Sequence, residues 1–545
     1  MTILSLQTIK LSKALCALLS ILLLNACASS HNTTKHYASE ETSLSKHQAA
    51  PKWFRDAKLG IYFTWGPYTV AAKQNEWYPR WMHFDMQDED WLGNTPGYHH
   101  DLLGWHTENF GHPSTTPYHE LFHQFTAEHF DAEEWAQLFY ETGARFAGPV
   151  AIHHDGYALW DSAITPWDVK DIGPKRDITG ELAQALRKRG IKLVTTFHHA
   201  RNLQRYAGLS PQEALEPAPW DDSIYHAYWN SHYPWIEGLA TASDDPKLQL
   251  LYGNMDEQVW LEDVWLGMLK EVVDKYQPDL VWFDTWLDQI PEKYRYEFAS
   301  YYFNKGIEWG KDVMMTHKHT DMPTSFSVED FEQGRRDELT DLPWLTDDTM
   351  AIWTWSFTNN MPLKSKERII HEFIDIVSKN GQLLLNISPR ADGSIPQNQR
   401  DILRALGAWM KVNNEAIYET RPWIVYGEGP TQMKGDGHFT KPVAYGEKDV
   451  RFTTKGEMLY AIALGTPTQE LVIKSLADDL KLYKGEIAAV EALVGDVVKS
   501  WSRDSTGLRI TLKDAAPKQV AYAFKIIEKK TLAKMTGLDQ SSMNK

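Results

Sequence analysis

The chain of 545 residues is too long for one ordinary domain, and a hydrophobic fraction of 43% is sufficient for two or three real cores. A mean hydropathy of -0.46 argues against several membrane spans, and a formal net charge of -17 disfavours nucleic acid as a partner. The 23 Trp, 24 Tyr and 20 Phe fit either large aromatic cores or flat surfaces on which sugar rings stack.

The N-terminus has the pattern of an export signal. Lys10 and Lys13 precede an apolar run at 14–24, and no acidic residue comes before Cys27. The run is too short for a comfortable membrane-spanning helix, so we expect a signal peptide at 1–26. Its end, Leu-Asn-Ala-Cys27, resembles a bacterial lipobox. Cleavage before Cys27 would place lipid on its sulfur and anchor the protein to a membrane, periplasmic or outer.

An ordinary signal peptide followed by a chance cysteine is the alternative. Cysteine usage bears on this choice, because Cys16 lies inside the signal and would be removed, leaving Cys27 alone and excluding an intramolecular disulfide. The Ser/Thr/His-rich stretch at 27–50 is then expected to be a flexible, lipidated tether.

Residues 51–420 alternate short apolar strands with helical stretches. Predicted helices lie at 132–141 and 261–272, and predicted strands at 58–64, 148–153, 192–197, 280–283 and 383–387. Repeated helix-then-strand order predicts a parallel sheet, and the length favours an α/β fold of the imperfect (β/α)8 TIM-like barrel type. An open doubly wound sheet is disfavoured because no G-x-G-x-x-G turn is present.

The pattern of apolar and turn residues changes after Pro422. Short β-like segments separated by turn residues predict a C-terminal antiparallel β-sandwich at 421–528. The tail at 529–545 is polar and is expected to be frayed.

Titratable residues follow three of the predicted barrel strands. These are His153-His154-Asp155, His198-His199 and Asp284. Reactive side chains in such barrels project from the C-terminal ends of the strands, so we expect these groups to share one site.

Asp284 is the strongest candidate for chemistry. It follows an apolar strand and is flanked by Trp282 and Trp286. In sugar chemistry such a carboxylate could attack the anomeric carbon while a second acid protonates the leaving oxygen. A helix N-cap or a salt-bridge partner is the alternative role for this residue.

The histidines permit a rival hypothesis, a metal site. It would draw on a set of six residues: His153, His154, His198, His199, His317 and His319. Adjacent histidines at a strand end point to opposite sides, however, and the H-x-x-x-H spacing is missing. We therefore predict no metal and no cofactor, since neutral imidazoles suffice to bond sugar hydroxyls.

Several motifs, taken in chain order, resemble the α-L-fucosidases of glycoside hydrolase family 29. They are Trp53-Phe-Arg-Asp-Ala-Lys-Leu-Gly-Ile-Tyr-Phe-Thr-Trp-Gly66, Glu76-Trp-Tyr78, His153-His-Asp-Gly156, Trp282-Phe-Asp284, Ser378-Lys-Asn-Gly-Gln-Leu-Leu-Leu-Asn386, Pro389-Arg-Ala-Asp-Gly393 and Asn414-Glu-Ala-Ile-Tyr418. The resemblance covers roughly 52–423. It implies a retaining enzyme with an imperfect (β/α) barrel followed by a β-sandwich.

The resemblance also implies roles for individual residues. Asp284 matches the nucleophile, His153 and His154 match histidines that contact sugar hydroxyls, and Trp77 matches a residue lining the same subsite. The segment 328–334 resembles the stretch that supplies the acid/base, for which Glu332 is the first choice and Glu329 the second. The remaining predicted substrate contacts are Glu76, Tyr78, Thr64, Trp65, His198 and Trp286.

Thr64 departs from the family pattern, which usually has His-Trp-Gly where this chain has Thr64-Trp65-Gly66. The shorter side chain could admit α-L-galactose, which is α-L-fucose with a hydroxyl on C6. The leading hypothesis is therefore an exo-acting, retaining α-L-fucosidase acting on oligosaccharide or polysaccharide. An α-L-galactosidase acting on algal-type galactan is the nearest alternative, and a glycan-binding lipoprotein without catalysis is a third.

Overall fold

The computed structural model describes residues 36–83, 101–204, 232–468 and 470–535. The predicted signal peptide, Cys27, the first part of the predicted tether and residues 536–545 lie outside this described part. Among the helices of the described part, none combines the length and the apolar composition needed to cross a membrane.

Eight parallel strands form the first sheet, in the spatial order β6-β5-β4-β3-β2-β1-β8-β7. Their bounds are β1 Leu59–Phe63, β2 Phe146–Ile152, β3 Lys192–Phe197, β4 Leu280–Phe283, β5 Met314–His317, β6 Val328–Glu329, β7 Trp344–Thr349 and β8 Gly381–Ile387. In this order β1 pairs with β8, and every other strand pairs with its neighbour in sequence except β6 with β7, which is the arrangement of a TIM-like barrel. The fold class expected from the sequence is confirmed.

The barrel closes between β6 and β7 through residues that follow the short strand β6. Phe331 N donates to Leu345 O at 3.0 Å, and Gln333 N donates to Asp347 O at 2.8 Å. The segment after β6 therefore runs beside β7 and brings Glu332 to the rim of the barrel.

The barrel interior is apolar at its N-terminal end. Phe146, Leu280 and Leu384 belong to one buried cluster with Phe54, which comes from the helix preceding β1. Side chains from several strands thus fill the lower barrel, as burial of apolar surface favours. The open space lies at the opposite end, where the strands finish.

Helices surround this sheet, and their ends follow ordinary capping chemistry. Asp131 accepts hydrogen bonds from two backbone amides at the start of one helix, which ends at Gly143 in the left-handed conformation. The α-helices are Glu41–Leu44, Lys52–Ala57, Tyr68–Ala71, Tyr78–Trp81, Leu102–Asn109, Ala132–Thr142, Ile178–Lys188, Pro246–Tyr252, Glu257–Val259, Gly267–Tyr276, Glu292–Trp309, Lys366–Ser378, Gln397–Asn413 and Lys529–Met535. The helical stripe expected at 261–272 is present, but its first half, Trp260–Leu266, is a π-helical segment.

The C-terminal part is a β-sandwich of two antiparallel sheets. One sheet has the order β13-β16-β11-β10-β9 and the other β12-β15-β14. The strands are β9 Arg421–Glu428, β10 Val450–Lys455, β11 Met458–Ala463, β12 Leu471–Ile473, β13 Ile487–Ala492, β14 Val498–Asp504, β15 Gly507–Leu512 and β16 Tyr522–Glu528. Phe452, Ile510 and Phe524 lie in the core between the sheets.

Two expectations about the chain ends are corrected where the structure describes them. Residues 37–50 are not a free tether, because Tyr37 and Leu44 are buried and the His47 ring stacks on Phe303 at 3.7 Å. Tyr37 N also donates to Asn304 Oδ1 at 2.8 Å. Their apolar and aromatic side chains find partners on the helix Glu292–Trp309, far away in sequence.

The start of the tail is likewise ordered. Lys529–Met535 is a helix in which Thr531 and Ala533 are buried. Thr531 Oγ1 donates to Glu457 Oε2 at 3.1 Å. The polar side chains of this segment therefore form hydrogen bonds within the fold, and the segment is not frayed.

A buried ionic cluster joins the barrel to the sandwich. Asp375, on the helix Lys366–Ser378, contacts Arg451 of β10 at 2.6 Å, Lys379 at 3.1 Å and Arg335 at 3.3 Å. Burial alone would raise the pKa of Asp375, but these three cations hold it well below its usual range. The two domains are therefore connected through charge as well as apolar packing.

Candidate active site

A cavity of about 130 Å³ opens at the C-terminal ends of the barrel strands. This is smaller than the roughly 300–1,000 Å³ of sites for drug-sized ligands, and suits one small sugar residue. Its walls combine carboxylates, imidazoles and indoles, contributed by Tyr62, Thr64, Glu76, Trp77, His153, His154, His198, Trp282, Asp284, Thr285, Glu332, Asp347 and Trp355.

Asp284 lies at the end of β4, with its carboxylate in the cavity. Its backbone N donates to Phe197 O at 3.1 Å, which fixes the residue beside the end of β3. One carboxylate oxygen is 3.3 Å from His154 Nε2 and the other is 3.5 Å from Lys318 Nζ. The carboxylate is thus oriented from two sides.

Glu332 approaches the same cavity from the segment that closes the barrel. Its Oε2 accepts a hydrogen bond from Lys318 Nζ at 3.0 Å. Oxygen atoms of Asp284 and Glu332 therefore both lie within 3.5 Å of one nitrogen atom. This proximity is compatible with the separation of about 5–5.5 Å between the two carboxyl groups of retaining glycosidases.

Lys318 is fully buried at the end of β5 and is surrounded by acids. Besides Asp284 and Glu332 it contacts Asp347 at 3.2 Å and Asp330 at 3.7 Å. Burial lowers the pKa of Lys318, but the acids more than compensate and hold it well above its usual range. Lys318 is therefore a permanent positive charge between the two candidate catalytic carboxyls.

The surroundings shift the pKa values of Asp284 and Glu332 in opposite directions. Burial raises the pKa of Asp284, but His198, Lys318 and His154 together hold it well below its usual range. Burial raises the pKa of Glu332 to about 7, because the lowering effect of Lys318 is opposed by Asp347 and Asp284. At neutral pH one carboxyl is ionised and the other can carry a proton, the division of protonation states that acid-assisted glycoside cleavage requires.

The histidines at the ends of β2 and β3 present polar atoms to the cavity. Burial lowers the pKa of His198 to about 3 and that of His153 well below its usual range, so both rings are neutral. Within the described part of the chain, Nδ1 of each ring has no hydrogen-bond partner. Both residues line the cavity, and a neutral imidazole offers one donor and one acceptor, so the two rings suit ligand hydroxyls.

His154 differs because both of its ring nitrogens face oxygen atoms. Nδ1 is 2.6 Å from the carbonyl oxygen of His198, and Nε2 is 3.3 Å from Asp284. Burial lowers the pKa of His154, and the hydrogen bond and charge of Asp284 offset this lowering only in part. The ring consequently fixes the orientation of Asp284.

Glu76 and Trp77 form another wall of the cavity. Glu76 Oε2 accepts hydrogen bonds from the backbone amides of Trp355 and Ser356 at 3.1 and 3.2 Å, and burial raises its pKa. The Trp77 ring lies beside His154, with centroids 4.9 Å apart. A carboxyl and an indole are thus held side by side, as in sites that hydrogen-bond and stack on a sugar.

Thr64 lines the cavity at the end of β1, and its hydroxyl is directed to a neighbouring strand. Its backbone N and Oγ1 donate to Asn386 Oδ1 at 2.8 and 3.0 Å. Asn386, at the end of β8, in turn donates to the carbonyl of Trp355 at 2.6 Å. The asparagine that ends one of the family-like motifs therefore supports two wall residues.

Three predicted substrate contacts do not line the cavity. Trp65 is buried against Phe125 and Trp135, and Tyr78 is buried with its hydroxyl 2.5 Å from His106. Both side chains point into the core, where they pack against neighbouring aromatic rings. Trp286 lies beyond the cavity wall, where its ring contacts the guanidinium of Arg201 at 4.0 Å.

Glu329 is placed away from the cavity and is bound to Arg336 at 2.7 Å, whereas Glu332 lines the cavity. The six histidines of the metal hypothesis do not converge either. His199 contacts Trp265 O, His317 contacts Ser327 Oγ, and the His319 ring lies beside that of His438. Only the other three border the cavity.

Sequence reasoning missed Lys318, Asp347 and Tyr62. Tyr62 donates to Asp347 Oδ2 at 3.0 Å, and Asp347 contacts Lys318, so the three form one chain of contacts beneath Glu332. The run of apolar residues before His317-Lys318-His319 was a signal for another strand end. Asp347 lies inside a strand without an apolar run, and nothing in the sequence distinguished it.

Comparisons with known proteins agree with this geometry. A sequence model of the family described as Alpha-L-fucosidase matches residues 24–415. The tissue alpha-L-fucosidase of Rattus norvegicus is 28% identical over 91% of this chain and 93% of its own. The human (Homo sapiens) tissue alpha-L-fucosidase is 28% identical over 90% and 91%. The crystal structure of Thermotoga maritima alpha-fucosidase in complex with fucose has a TM-score of 0.64 and 25% identity, covering 90% of this chain and all of that one.

Proposed function

This chain belongs to the α-L-fucosidase family, and from that premise we propose that it is an exo-acting glycoside hydrolase that releases terminal α-L-fucose with retention of configuration. Asp284 is the nucleophile and Glu332 the acid/base. The observation that carries these assignments is the opposite displacement of the two pKa values around one buried ammonium group.

In the first step Asp284 attacks the anomeric carbon and the bond from that carbon to the glycosidic oxygen breaks. Glu332 gives its proton to that oxygen, so the aglycone leaves as an alcohol and a glycosyl ester remains on Asp284. Lys318 supports this step because it stabilises the carboxylate that Glu332 becomes.

In the second step Glu332, now ionised, accepts a proton from water. The resulting hydroxide attacks the anomeric carbon and displaces Asp284, so fucose is released with its original α configuration. Each carboxyl returns to its starting protonation state, and no other reactant is consumed.

The remaining cavity residues are the candidates for sugar binding. His153 and His198 offer neutral imidazoles, Glu76 offers a carboxyl, and Trp77 offers an aromatic face. The small volume of the cavity favours one terminal residue over an internal position in a chain.

Two alternatives are less well supported. Thr64 motivates an α-L-galactosidase, but its hydroxyl hydrogen is directed to Asn386 and the related proteins are α-L-fucosidases. A protein that only binds glycan has no need of a buried lysine, Lys318, between one ionised and one protonated carboxyl group.

The deciding experiment follows nitrophenyl α-L-fucoside and nitrophenyl α-L-galactoside with the wild type, Asp284→Ala and Asp263→Ala. We expect preference for the fucoside, loss of turnover by orders of magnitude in Asp284→Ala, and no loss in the control, since Asp263 is exposed on the barrel exterior. NMR of the first-formed product should show the α anomer. Preference for the galactoside, or a β product, would overturn the proposal.

We further propose that the protein is exported and anchored to a membrane by lipid on Cys27. The supporting observation is the order of features at the N-terminus: two lysines, then an apolar run, then Leu-Asn-Ala-Cys27. Labelled palmitate should be incorporated by the wild type and by Cys16→Ala, the matched control, but not by Cys27→Ala. Labelling of Cys27→Ala, or none in the wild type, would contradict the anchor.

A further inference from the structure

The loop that joins β9 to β10 leaves the sandwich and reaches the rim of the barrel. At 431–440 it runs beside the segment that carries Glu332. Phe439 N donates to Glu332 O at 2.8 Å, and Thr440 N donates to Gln333 O at 3.2 Å. Arg335 and Gly437 exchange two backbone hydrogen bonds of 3.1 and 3.3 Å. The loop therefore pairs with the acid/base segment almost as a neighbouring strand would.

Two sequence features make this approach specific. A Cβ at Gly334 would overlap the carbonyl oxygen of Gly437, so the two backbones can meet only because residue 334 is glycine. Asp436 of the loop also pairs with Arg336 at 2.5 Å. Such contacts would be superfluous if the loop merely connected two strands.

His438 is the loop side chain that bonds to Glu332. The backbone N of Glu332 donates to His438 Nδ1 at 3.0 Å. The His438 ring also lies 4.3 Å from the ring of His319 and 5.6 Å from that of Phe331, between centroids. The ring is thus fixed by neighbours on two sides while it accepts this hydrogen bond.

The protonation state of His438 agrees with its role as an acceptor. Burial, with the nearby Lys318 and His319, lowers the pKa of His438 to about 3. The neutral ring can keep an unprotonated Nδ1, which an amide donor requires.

We propose that loop 431–440 of the sandwich is part of the active site, and that His438 is a positioning residue that fixes Glu332 for proton transfer to the leaving group. This role rests on the proposed function of Glu332 as the acid/base. Because proton donation depends on placing the carboxyl within hydrogen-bond reach of the glycosidic oxygen, a change in its backbone affects poor leaving groups most.

The test compares His438→Ala, His438→Asn and the wild-type protein on two aryl α-L-fucosides. Dinitrophenolate leaves with little help from an acid, whereas phenolate needs a proton. We expect His438→Ala to lose about 10-fold in kcat/KM on the phenyl substrate and less than about twofold on the dinitrophenyl substrate. Asparagine can place an amide oxygen near the position of Nδ1, so His438→Asn should recover most of the loss.

His129→Ala, a change at an exposed histidine, is the matched control and should behave as wild type on both substrates. Equal losses on both substrates in His438→Ala, or failure of asparagine to restore activity, would overturn the positioning role, because a purely structural defect has no preference for the leaving group. Unchanged kinetics in His438→Ala would also overturn it.

Glu332→Gln, measured alongside, separates the two proposals. A strong dependence on the leaving group in Glu332→Gln, with none in His438→Ala, removes the role of His438 and keeps the acid/base. The absence of that dependence in Glu332→Gln removes the acid/base assignment, and with it the role of His438.

Discussion

Lys318 Nζ lies 3.0 Å from Glu332 Oε2. A buried ammonium beside a proposed general acid is unexpected, because it favours the deprotonated carboxylate. The surrounding acids and the burial of Glu332 outweigh it, and the pKa of Glu332 is raised to about 7. Burial and the neighbouring acids thus keep a proton on Glu332 near neutrality, and Lys318 would stabilise the carboxylate left after the proposed proton donation.

The first prediction concerns the pH dependence of the wild-type enzyme. Glu332 must be protonated for the first step, so kcat/KM for a phenyl fucoside should fall as pH rises through about 7. Because the pKa of Asp284 is well below its usual range, activity should persist to acid pH. Initial rates between pH 4 and 9 test this, and a rate that continues to rise above neutrality would contradict it.

The second prediction concerns the charge of Lys318. Lys318→Met removes a cation that lowers the pKa values of both Glu332 and Asp284, so both limbs of the kcat/KM profile should move to higher pH. Lys318→Arg keeps the charge and is the matched comparison, whose profile should stay closer to wild type. If Lys318→Met folds and retains the wild-type profile, the ammonium does not control these carboxyls.

The third prediction separates the two candidate acids. Glu332→Gln should lower kcat/KM on a poor leaving group by about 10²–10⁴-fold and abolish the limb above neutrality, since an amide donates no proton. Glu329→Gln should have little effect on the rate, because Glu329 is bound to Arg336 outside the cavity. The reverse result would transfer the role to Glu329.

The expectations from sequence succeeded where periodicity and apolar runs were strong. Strands β3 and β4 begin and end at the expected residues, and β1 differs by one residue at each end. Strands β5, β6 and β7 were not predicted, because β6 has two residues and β7 contains Thr346, Asp347 and Asp348. Polar residues inside a closed barrel break the pattern by which strands are recognised.

The candidate site likewise contains residues that the sequence identified and residues that it did not. Asp284, Glu332, His153 and His154 reach the cavity from motifs that could be read in the sequence. Lys318 could not be assigned, since a lysine is expected in solvent unless its partners are known, and those partners come from four different positions along the chain. His438 was hidden for a similar reason, because it lies in the other domain, more than a hundred residues after Glu332.

The fourth prediction concerns the ionic cluster between the domains. Arg451→Met leaves Asp375 with only Arg335 and Lys379, and the free energy of unfolding should fall by about 3–5 kcal/mol. Arg509→Met, which breaks an exposed pair with Glu470, is the control and should leave stability almost unchanged. Denaturant titration measures both, and similar values for the two variants would exclude a special role for the cluster.

The same cluster determines whether the stability of the protein rises or falls as the pH is lowered. The folded-state pKa of Asp375 lies below its usual value, so its contribution is complete above about pH 4 and is lost as the pH falls towards the folded-state pKa. Asp375→Asn should therefore flatten the loss of stability in that acid range. An unchanged acid dependence in a folded Asp375→Asn protein would show that other groups dominate it.

The docking of Tyr37 onto the helix Glu292–Trp309 limits how far an anchored enzyme could work from its membrane. Nine residues, 28–36, separate Cys27 from Tyr37. The ten steps from Cys27 to Tyr37 span at most about 36 Å when the chain is fully extended. A protein held by lipid on Cys27 would consequently keep the outer surface of that helix near the bilayer and act on glycans that reach that membrane, rather than search the surrounding fluid.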